Sequence, residues 1–140
     1  MKIIRTPEEE LIEVAYEEYK LLRSIQHENI VQMYDAFYNQ MKSTIYLVMD
    51  YVQGQSLKYV FEDKNYHSNT CLNINQIKNI FMQMLRAVEY LQSDEVAICH
   101  RDLNPNNIMI ERLESESDDS DQYQYKLTLI DFNVAKRFVD

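Results

Sequence analysis

Glycine is almost absent from this chain, since its 140 residues include one glycine and two prolines. Loops that cradle phosphate groups with successive backbone N–H groups normally need several glycines. The sequence therefore predicts no glycine-rich phosphate loop within these residues. Long hydrophobic runs are absent as well, because no apolar stretch approaches the roughly 20 residues of a membrane-spanning helix. The N-terminus also lacks the pattern of a signal peptide, and we expect no membrane partner.

Positive charge is scarce too. The chain has 14 lysines and arginines against 23 aspartates and glutamates, which gives a formal net charge of −9. This charge argues against nucleic acid or an anionic membrane surface as the main partner. Cysteine is limited to Cys71 and Cys99, without CxxC spacing, so we expect a reducing, cytoplasmic setting. With 46% hydrophobic residues, the remaining composition suits one packed domain.

The sequence pattern of the first part of the chain predicts three strands and one helix. Runs rich in β-branched, aromatic and other apolar residues indicate strands over residues 1–5, 30–37 and 44–52. Thr6 and Glu9 have the spacing of a capping box, in which a hydroxyl and a carboxylate each bond a backbone N–H group at a helix start. We therefore expect a helix to begin directly after the first strand.

That first helix has an apolar stripe that contains one charged residue, Glu18. A carboxylate in such a stripe is costly unless it finds a partner or reaches water. A short helix is expected near Ser56, and a second amphipathic helix over 77–91 follows a candidate capping box of Asn73 and Gln76. The stripe of the first helix consists of Leu11, Val14, Ala15, Leu21, Leu22 and Ile25.

Two short apolar runs near the end of the chain predict a hairpin. They cover 108–110 and 126–130, and the acidic, serine-rich segment between them is predicted to be a flexible insertion at 111–124. In an antiparallel pair the start of one strand lies beside the end of the other. Asn107 precedes the first strand and Asp131 follows the second. Hairpin geometry alone would therefore bring these two side chains together.

Asp102 lies five residues before Asn107, in a polar loop that Pro105 restrains. Two carboxylates and one amide oxygen would then meet at one edge of the sheet. Hard oxygen ligands of this kind suit Mg²⁺, which usually takes one or two protein carboxylates together with substrate phosphates. The alternative is an ordinary turn, because asparagine and aspartate are common beside proline in turns. That alternative applies to Asn104, Asn106 and Asn107 taken alone.

The joint pattern resembles a eukaryotic protein kinase domain over nearly the whole chain. HRDLNPNNIMI, at 100–110, resembles the catalytic loop, and LIDFNVAK, at 129–136, resembles the metal-binding DFG segment. The upstream landmarks occur in the family's order. They are the ATP lysine in MKII, Glu18 at the glutamate of the family's C helix, IQHENIV at the passage to the next strand, and LVMDYV at the gatekeeper and hinge.

The resemblance implies an α+β, partial two-lobed protein kinase-like fold. Three antiparallel strands and the C helix would be followed by the D and E helices and by a hairpin that carries the catalytic loop. Residues 1–52 would form a partial N-lobe with the hinge. Residues 53–140 would form a partial C-lobe with the acidic insertion at 111–124. A kinase domain over 1–140 would then be truncated at both ends.

The resemblance also implies a role for each matching residue. Asp102 would accept or orient the proton of the substrate hydroxyl, and Lys2, oriented by Glu18, would contact the α- and β-phosphates of ATP. Asn107 and Asp131 would hold Mg²⁺. The implied nucleotide-binding set is Lys2, Met49, Asp50, Val52, Met109, Asn107 and Asp131. Four side chains would stack into the hydrophobic column that connects the lobes of active kinases, namely His100, Phe132, Leu22 and Met33.

Three positions depart from the family pattern. Asn104 replaces the catalytic-loop lysine, which removes a cationic contact to the γ-phosphate. Asn133 replaces the DFG glycine, and asparagine is expected to keep the turn because it tolerates a positive φ angle. Asn106 replaces a glutamate, which puts a preference for basic substrates in doubt. Arg101 keeps the family's residue, and it would bind a phosphorylated activation loop.

The implied function is a serine/threonine kinase that uses ATP and Mg²⁺ and acts on a protein substrate, with Pro105 favouring the Ser/Thr type over the Tyr type. We expect these 140 residues alone to have little or no activity and to expose an apolar face on the helix at 77–91. The alternative is a degenerate kinase-like module that binds nucleotide or acts as a scaffold without phosphotransfer. Asn104 and Asn133 favour that alternative. The sequence leaves the oligomeric state open.

Overall fold

The computed structural model describes residues 1–62, 72–113 and 124–138. The strands of the described residues form two three-stranded antiparallel sheets and one two-stranded antiparallel sheet. The elements in order are β1 (Lys2–Arg5), α1 (Glu9–Arg23), β2 (Met33–Asn39), a 3₁₀ turn (Gln40–Lys42), β3 (Thr44–Met49), β4 (Gln55–Ser56), α2 (Leu57–Glu62), α3 (Ile74–Leu91), β5 (Ile98–Cys99), β6 (Ile108–Leu113), β7 (Gln124–Leu129) and β8 (Lys136–Arg137).

The first sheet has the order β1–β3–β2, and both pairs are antiparallel. Its central strand, β3, pairs Leu47 with Lys2 on one side and with Ala36 on the other. Helix α1 turns Ala15, Glu18 and Leu22 inward, at the three- and four-residue spacing of one helix face. Lys2 in β1 and Glu18 in α1 are thereby brought to the same side of the sheet.

One expectation for α1, the capping box at its start, is wrong. Thr6 does not form the predicted capping box, because its Oγ1 accepts a hydrogen bond from the backbone N–H of Glu8 at 3.1 Å. This bond to the second following residue makes a local turn ahead of the helix, a use that competes with capping in hydroxyl side chains. The apolar stripe is also only partly buried, since Leu11 and Val14 remain 45% and 41% exposed.

The second sheet has the order β4–β6–β7 and contains the predicted hairpin. The hairpin is longer than expected, because its ladder continues through the pairs Arg112–Tyr125 and Leu113–Gln124. Residues 111–113 and 124 therefore belong to β6 and β7 and not to the predicted insertion. The rest of that insertion, 114–123, lies outside the described residues.

Helix α3 begins as the sequence predicts. The side chain of Asn73 accepts hydrogen bonds from the N–H groups of Asn75 and Gln76 at 3.0 and 2.9 Å. In return, the Gln76 side chain accepts the N–H of Asn73 at 2.8 Å. Ile80, Ala87 and Leu91 are buried, whereas an apolar face that includes Ile74, Ile77, Phe81, Met82 and Leu85 is exposed. None of the helices in the described part of the chain has both the length and the apolar character to span a bilayer.

Gly54 directly precedes β4 and lies against the backbone of β6. Its φ angle is +97°, a conformation that residues with a side chain rarely adopt. A Cβ atom at this position would lie 2.1 Å from the carbonyl oxygen of Ile110, which is backbone and cannot turn away. The only glycine of the chain therefore occurs where both the φ angle and the close approach of β6 require it.

We predict that Gly54→Ala lowers the free energy of unfolding by at least about 2 kcal/mol, because it adds both an unfavourable φ angle and a clash with β6. Chemical denaturation measures this change. Gln53→Ala, at the exposed preceding position, is the matched control and should have little effect. Equal stability of the Gly54→Ala protein and the wild type would contradict the prediction.

Candidate active site

The carboxylate of Glu18 receives three hydrogen bonds from two separate parts of the fold. The Nζ of Lys2 donates to its Oε1 and Oε2 at 3.0 and 2.8 Å, and the N–H of Phe132 donates to its Oε1 at 3.3 Å. Only 3% of Glu18 is exposed. These bonds explain how an apolar helix stripe accommodates a charge, because a buried carboxylate is tolerated when it is paired and hydrogen-bonded.

Lys2 links Glu18 to a second carboxylate. Its Nζ lies 3.0 Å from Oδ1 of Asp131, which follows β7 by two residues. Burial alone would lower the pKa of Lys2, but the hydrogen bonds and charges of Glu18 and Asp131 outweigh it and raise the pKa above the ordinary 10.5. The ammonium group therefore stays charged at neutral pH, between two carboxylates from distant parts of the chain.

Asp102 is held by two asparagines of its own loop. Nδ2 of Asn107 donates to Oδ2 of Asp102 at 2.8 Å and to its backbone oxygen at 3.0 Å. Nδ2 of Asn104 donates to Oδ1 of Asp102 at 2.9 Å. The N–H of Asn106 in turn bonds Oδ1 of Asn104 at 2.9 Å. The polar loop is therefore connected internally, and both oxygens of the Asp102 carboxylate have amide donors.

The hairpin brings Asn107 next to the end of β7. The N–H of Ile130 donates to the backbone oxygen of Asn107 at 2.9 Å, one residue before Asp131. The amide nitrogen of Asn107 donates to Asp102. The side-chain oxygen of Asn107 is therefore the atom that would bind a metal ion. Together, the amide oxygen of Asn107 and the carboxylate of Asp131 would supply the hard oxygen ligands that Mg²⁺ requires.

A cavity of about 270 Å³ opens beside this cluster. The structure brings six of the seven predicted nucleotide-binding residues to its wall, whereas Asn107 is not part of the lining. Val31 and Ile130 also line the cavity. The sequence does not identify these two residues, because an apolar residue near a strand end looks the same whether it lines a cavity or packs in the core. The six predicted nucleotide-binding residues that line the cavity are Lys2, Met49, Asp50, Val52, Met109 and Asp131.

The four side chains expected to form a hydrophobic column are all almost fully buried. The rings of His100 and Phe132 are in contact, with centroids 4.4 Å apart. Burial lowers the pKa of His100 and outweighs the opposing contributions of the Ile130 backbone and of Asp102 and Asp131. The imidazole is therefore neutral at physiological pH, which suits a ring packed against phenylalanine.

The segment after Asp131 turns differently from the sequence expectation. The positive φ angle lies at Asp131, at +61°, and not at Asn133. Aspartate tolerates this region because its short polar side chain can hydrogen-bond locally. Arg101, with φ at +62°, donates to the carbonyl oxygen of Val134 from Nε at 2.6 Å and also from Nη2. Its guanidinium group therefore holds the backbone that follows the DFG-like motif.

Comparison with known proteins identifies related sequences along the whole chain. The family profile described as "Protein kinase domain" matches residues 1–140. The chain is 36% identical over 119 residues to the probable serine/threonine-protein kinase fhkA of Dictyostelium discoideum, and the aligned region covers 85% of this chain and 18% of that protein. It is 35% identical over 94 residues to serine/threonine-protein kinase TIO of Arabidopsis thaliana, and the aligned region covers 67% of this chain and 6% of that protein.

A solved structure has a similar fold. One chain in the crystal structure of the yeast RNA Pol II CTD kinase CTDK-1 complex matches with a TM-score of 0.74 and 24% identity, over 99% of this chain and 40% of that chain. This similarity confirms the predicted α+β, kinase-like fold. The chain spans less than a fifth of the length of either curated relative. From the profile match over its full length, this chain belongs to the protein kinase domain family.

Proposed function

We propose that this chain is part of a serine/threonine protein kinase that transfers the γ-phosphoryl group of ATP to a hydroxyl group of a protein. One observation carries the proposal. Lys2 bridges Glu18 and Asp131 at 3.0 Å or less, beside a cavity that is also lined by Met49, the expected gatekeeper, and by Asp50 of the expected hinge. A charged lysine fixed between two carboxylates next to an apolar slot suits a nucleotide, whose base and phosphates need those two environments.

Each residue of the cluster has a distinct part in this reaction. The ammonium group of Lys2 would contact the α- and β-phosphates, and Glu18 would hold it in place from within the core. Asp131 and the side-chain oxygen of Asn107 would hold Mg²⁺. When bound, Mg²⁺ supplies positive charge that offsets the negative charge on the transferring phosphoryl group.

Asp102 would accept or orient the proton of the substrate hydroxyl. Its carboxylate is fixed by amide donors from Asn104 and Asn107 and not by a cation. Such fixing favours the geometry that phosphoryl transfer requires, since small displacements of a reacting group are costly in rate. Pro105 in this loop supports a serine or threonine acceptor, which agrees with the names of the two relatives, both of which are serine/threonine-protein kinases.

The second candidate function is nucleotide binding without phosphotransfer. The supporting observation is the hydrogen bond from Asn104 to Oδ1 of Asp102, at 2.9 Å. A neutral amide replaces the cation that the family has here, so the γ-phosphate lacks one electrostatic partner. Loss of one such contact lowers the rate of comparable enzymes by on the order of 10²-fold or more.

We predict that Asp131→Asn removes most of the Mg²⁺-dependent part of nucleotide binding, because an amide is a weaker magnesium ligand than a carboxylate. Thermal unfolding with ADP is compared in excess Mg²⁺ and in excess chelator. Asp94→Asn, at an exposed position far from the cavity, is the control. A Mg²⁺-dependent shift that persists in Asp131→Asn would contradict the assigned role of Asp131.

We predict that Asn104→Lys raises the phosphotransfer rate by roughly 10-fold to 100-fold, because it restores a cation near the γ-phosphate. Transfer of labelled phosphate to serine, threonine and tyrosine peptides measures this rate, and Asp102→Asn sets the background. If Asn104→Lys binds ATP and Mg²⁺ but stays at that background, the scaffold function is favoured over the kinase function.

A further inference from the structure

Along the outer edge of β7, the backbone groups from the Tyr125 carbonyl to the Leu129 carbonyl are hydrogen-bonded, although no other strand among the described residues pairs with this edge. In a strand, alternate residues direct their backbone groups to the same edge, and here they are Tyr125, Leu127 and Leu129. The opposite edge pairs with β6. On the outer edge, side chains and one loop supply the partners that a neighbouring strand would normally provide. We call the two side chains that do this, Asn29 and Gln83, the edge clamp.

Gln83, on α3, supplies the first half of the edge clamp. Its Nε2 donates to the carbonyl oxygen of Tyr125 at 2.7 Å, and its Oε1 accepts the N–H of Leu127 at 2.8 Å. The remaining capacity of this amide is used by Asn79, whose Oδ1 accepts at 2.6 Å, and by Asn29, whose Nδ2 donates at 2.9 Å. All four hydrogen-bonding positions of the side chain are therefore filled.

Asn29 supplies the second half, from the loop between α1 and β2. Its Nδ2 donates to the carbonyl oxygen of Leu127 at 2.8 Å, and its backbone oxygen accepts the N–H of Leu129 at 2.8 Å. Two residues later, the N–H of Val31 donates to the carbonyl oxygen of Leu129 at 3.0 Å. Asn29 is 2% exposed, so these bonds are shielded from water.

This row of bonds ends beside the candidate active site. Leu129 is two residues before Asp131, and Val31 lines the cavity that Asp131 also lines. These hydrogen bonds therefore attach β7, which is followed by Asp131, both to α3 and to the loop after α1. Lys2 donates a hydrogen bond to the Asp131 carboxylate, and Glu18 accepts the N–H of the next residue, Phe132. The position of the Asp131 carboxylate is thus set by two independent attachments.

We propose that Asn29 and Gln83 are positioning residues for Asp131. They fix the end of β7, and through it they set the place of the carboxylate that would hold Mg²⁺. This inference rests on the proposed function, because it assigns a purpose to the placement of Asp131. A merely structural edge clamp would protect an exposed strand edge and stabilise the fold, and it would affect nucleotide binding equally with and without Mg²⁺.

Gln83→Met tests the proposal, because methionine keeps the length and helix propensity of glutamine and removes its hydrogen bonds. The affinity for ADP is measured by calorimetry in excess Mg²⁺ and in excess chelator, and the ratio of the two is the Mg²⁺ enhancement. We expect Gln83→Met to lower this enhancement by about threefold to tenfold while the Mg²⁺-free affinity stays nearly constant. Arg86→Met, at an exposed site on the same helix, should change neither.

Hydrogen exchange of the wild-type protein supplies a second test, which does not depend on whether a variant folds. The amides of Leu127 and Leu129 are donors in the row, so ADP with Mg²⁺ should slow their exchange more than ADP alone. An unchanged Mg²⁺ enhancement in Gln83→Met, or equal protection of both amides in the two conditions, would overturn the positioning role. A wild type with no Mg²⁺ enhancement at all would overturn the proposed function as well, which separates the two failures.

Discussion

The buried carboxylate of Glu18 is the constraint on which the site depends. A charge removed from water requires partners, and it is strongly destabilising when one of them is lost. Its partners are Lys2, from the first strand, and the N–H of Phe132, which follows the last long strand. The helix therefore cannot satisfy its own charge unless both ends of the described chain come together around it. Burial of one group thus couples the two sheets and places Asp131 beside Lys2.

The loop around Asp102 is held by amide side chains, and two of them, Asn104 and Asn106, stand where the protein kinase pattern has charged residues. Asn104, Asn106 and Asn107 form a connected set of neutral donors and acceptors around Asp102. Amide hydrogen bonds fix direction about as well as ion pairs do, but they add no net positive charge. In the proposed reaction, the loop would therefore position Asp102 but would add no positive charge at the point where phosphate charge develops. A lysine in place of Asn104 would supply that charge.

The sequence could predict those features that depend on local pattern. The approach of Asn107 to the end of β7 follows from two short apolar runs and antiparallel pairing, and the Asn73–Gln76 capping box needs only four residues. The row on the outer edge of β7 could not be predicted, because Gln83 and Leu127 are 44 positions apart and Gln83 looks like any polar residue of an amphipathic helix. The turn at Thr6 was also unpredictable, since a hydroxyl that bonds two residues ahead and one that caps share the same sequence signal.

The scarcity of glycine has a thermodynamic consequence that reaches beyond Gly54. Glycine adds more conformational entropy to an unfolded chain than any other residue, and that entropy is lost on folding. In the described part of the chain, the other left-handed residues are Ser43, Ala97, Arg101 and Asp131, each of which has a Cβ atom. The unfolded chain consequently has less backbone entropy to lose on folding, and the opposing cost is strain in the native backbone. Because Arg101 and Asp131 directly precede Asp102 and Phe132, part of that strain lies in the candidate active site.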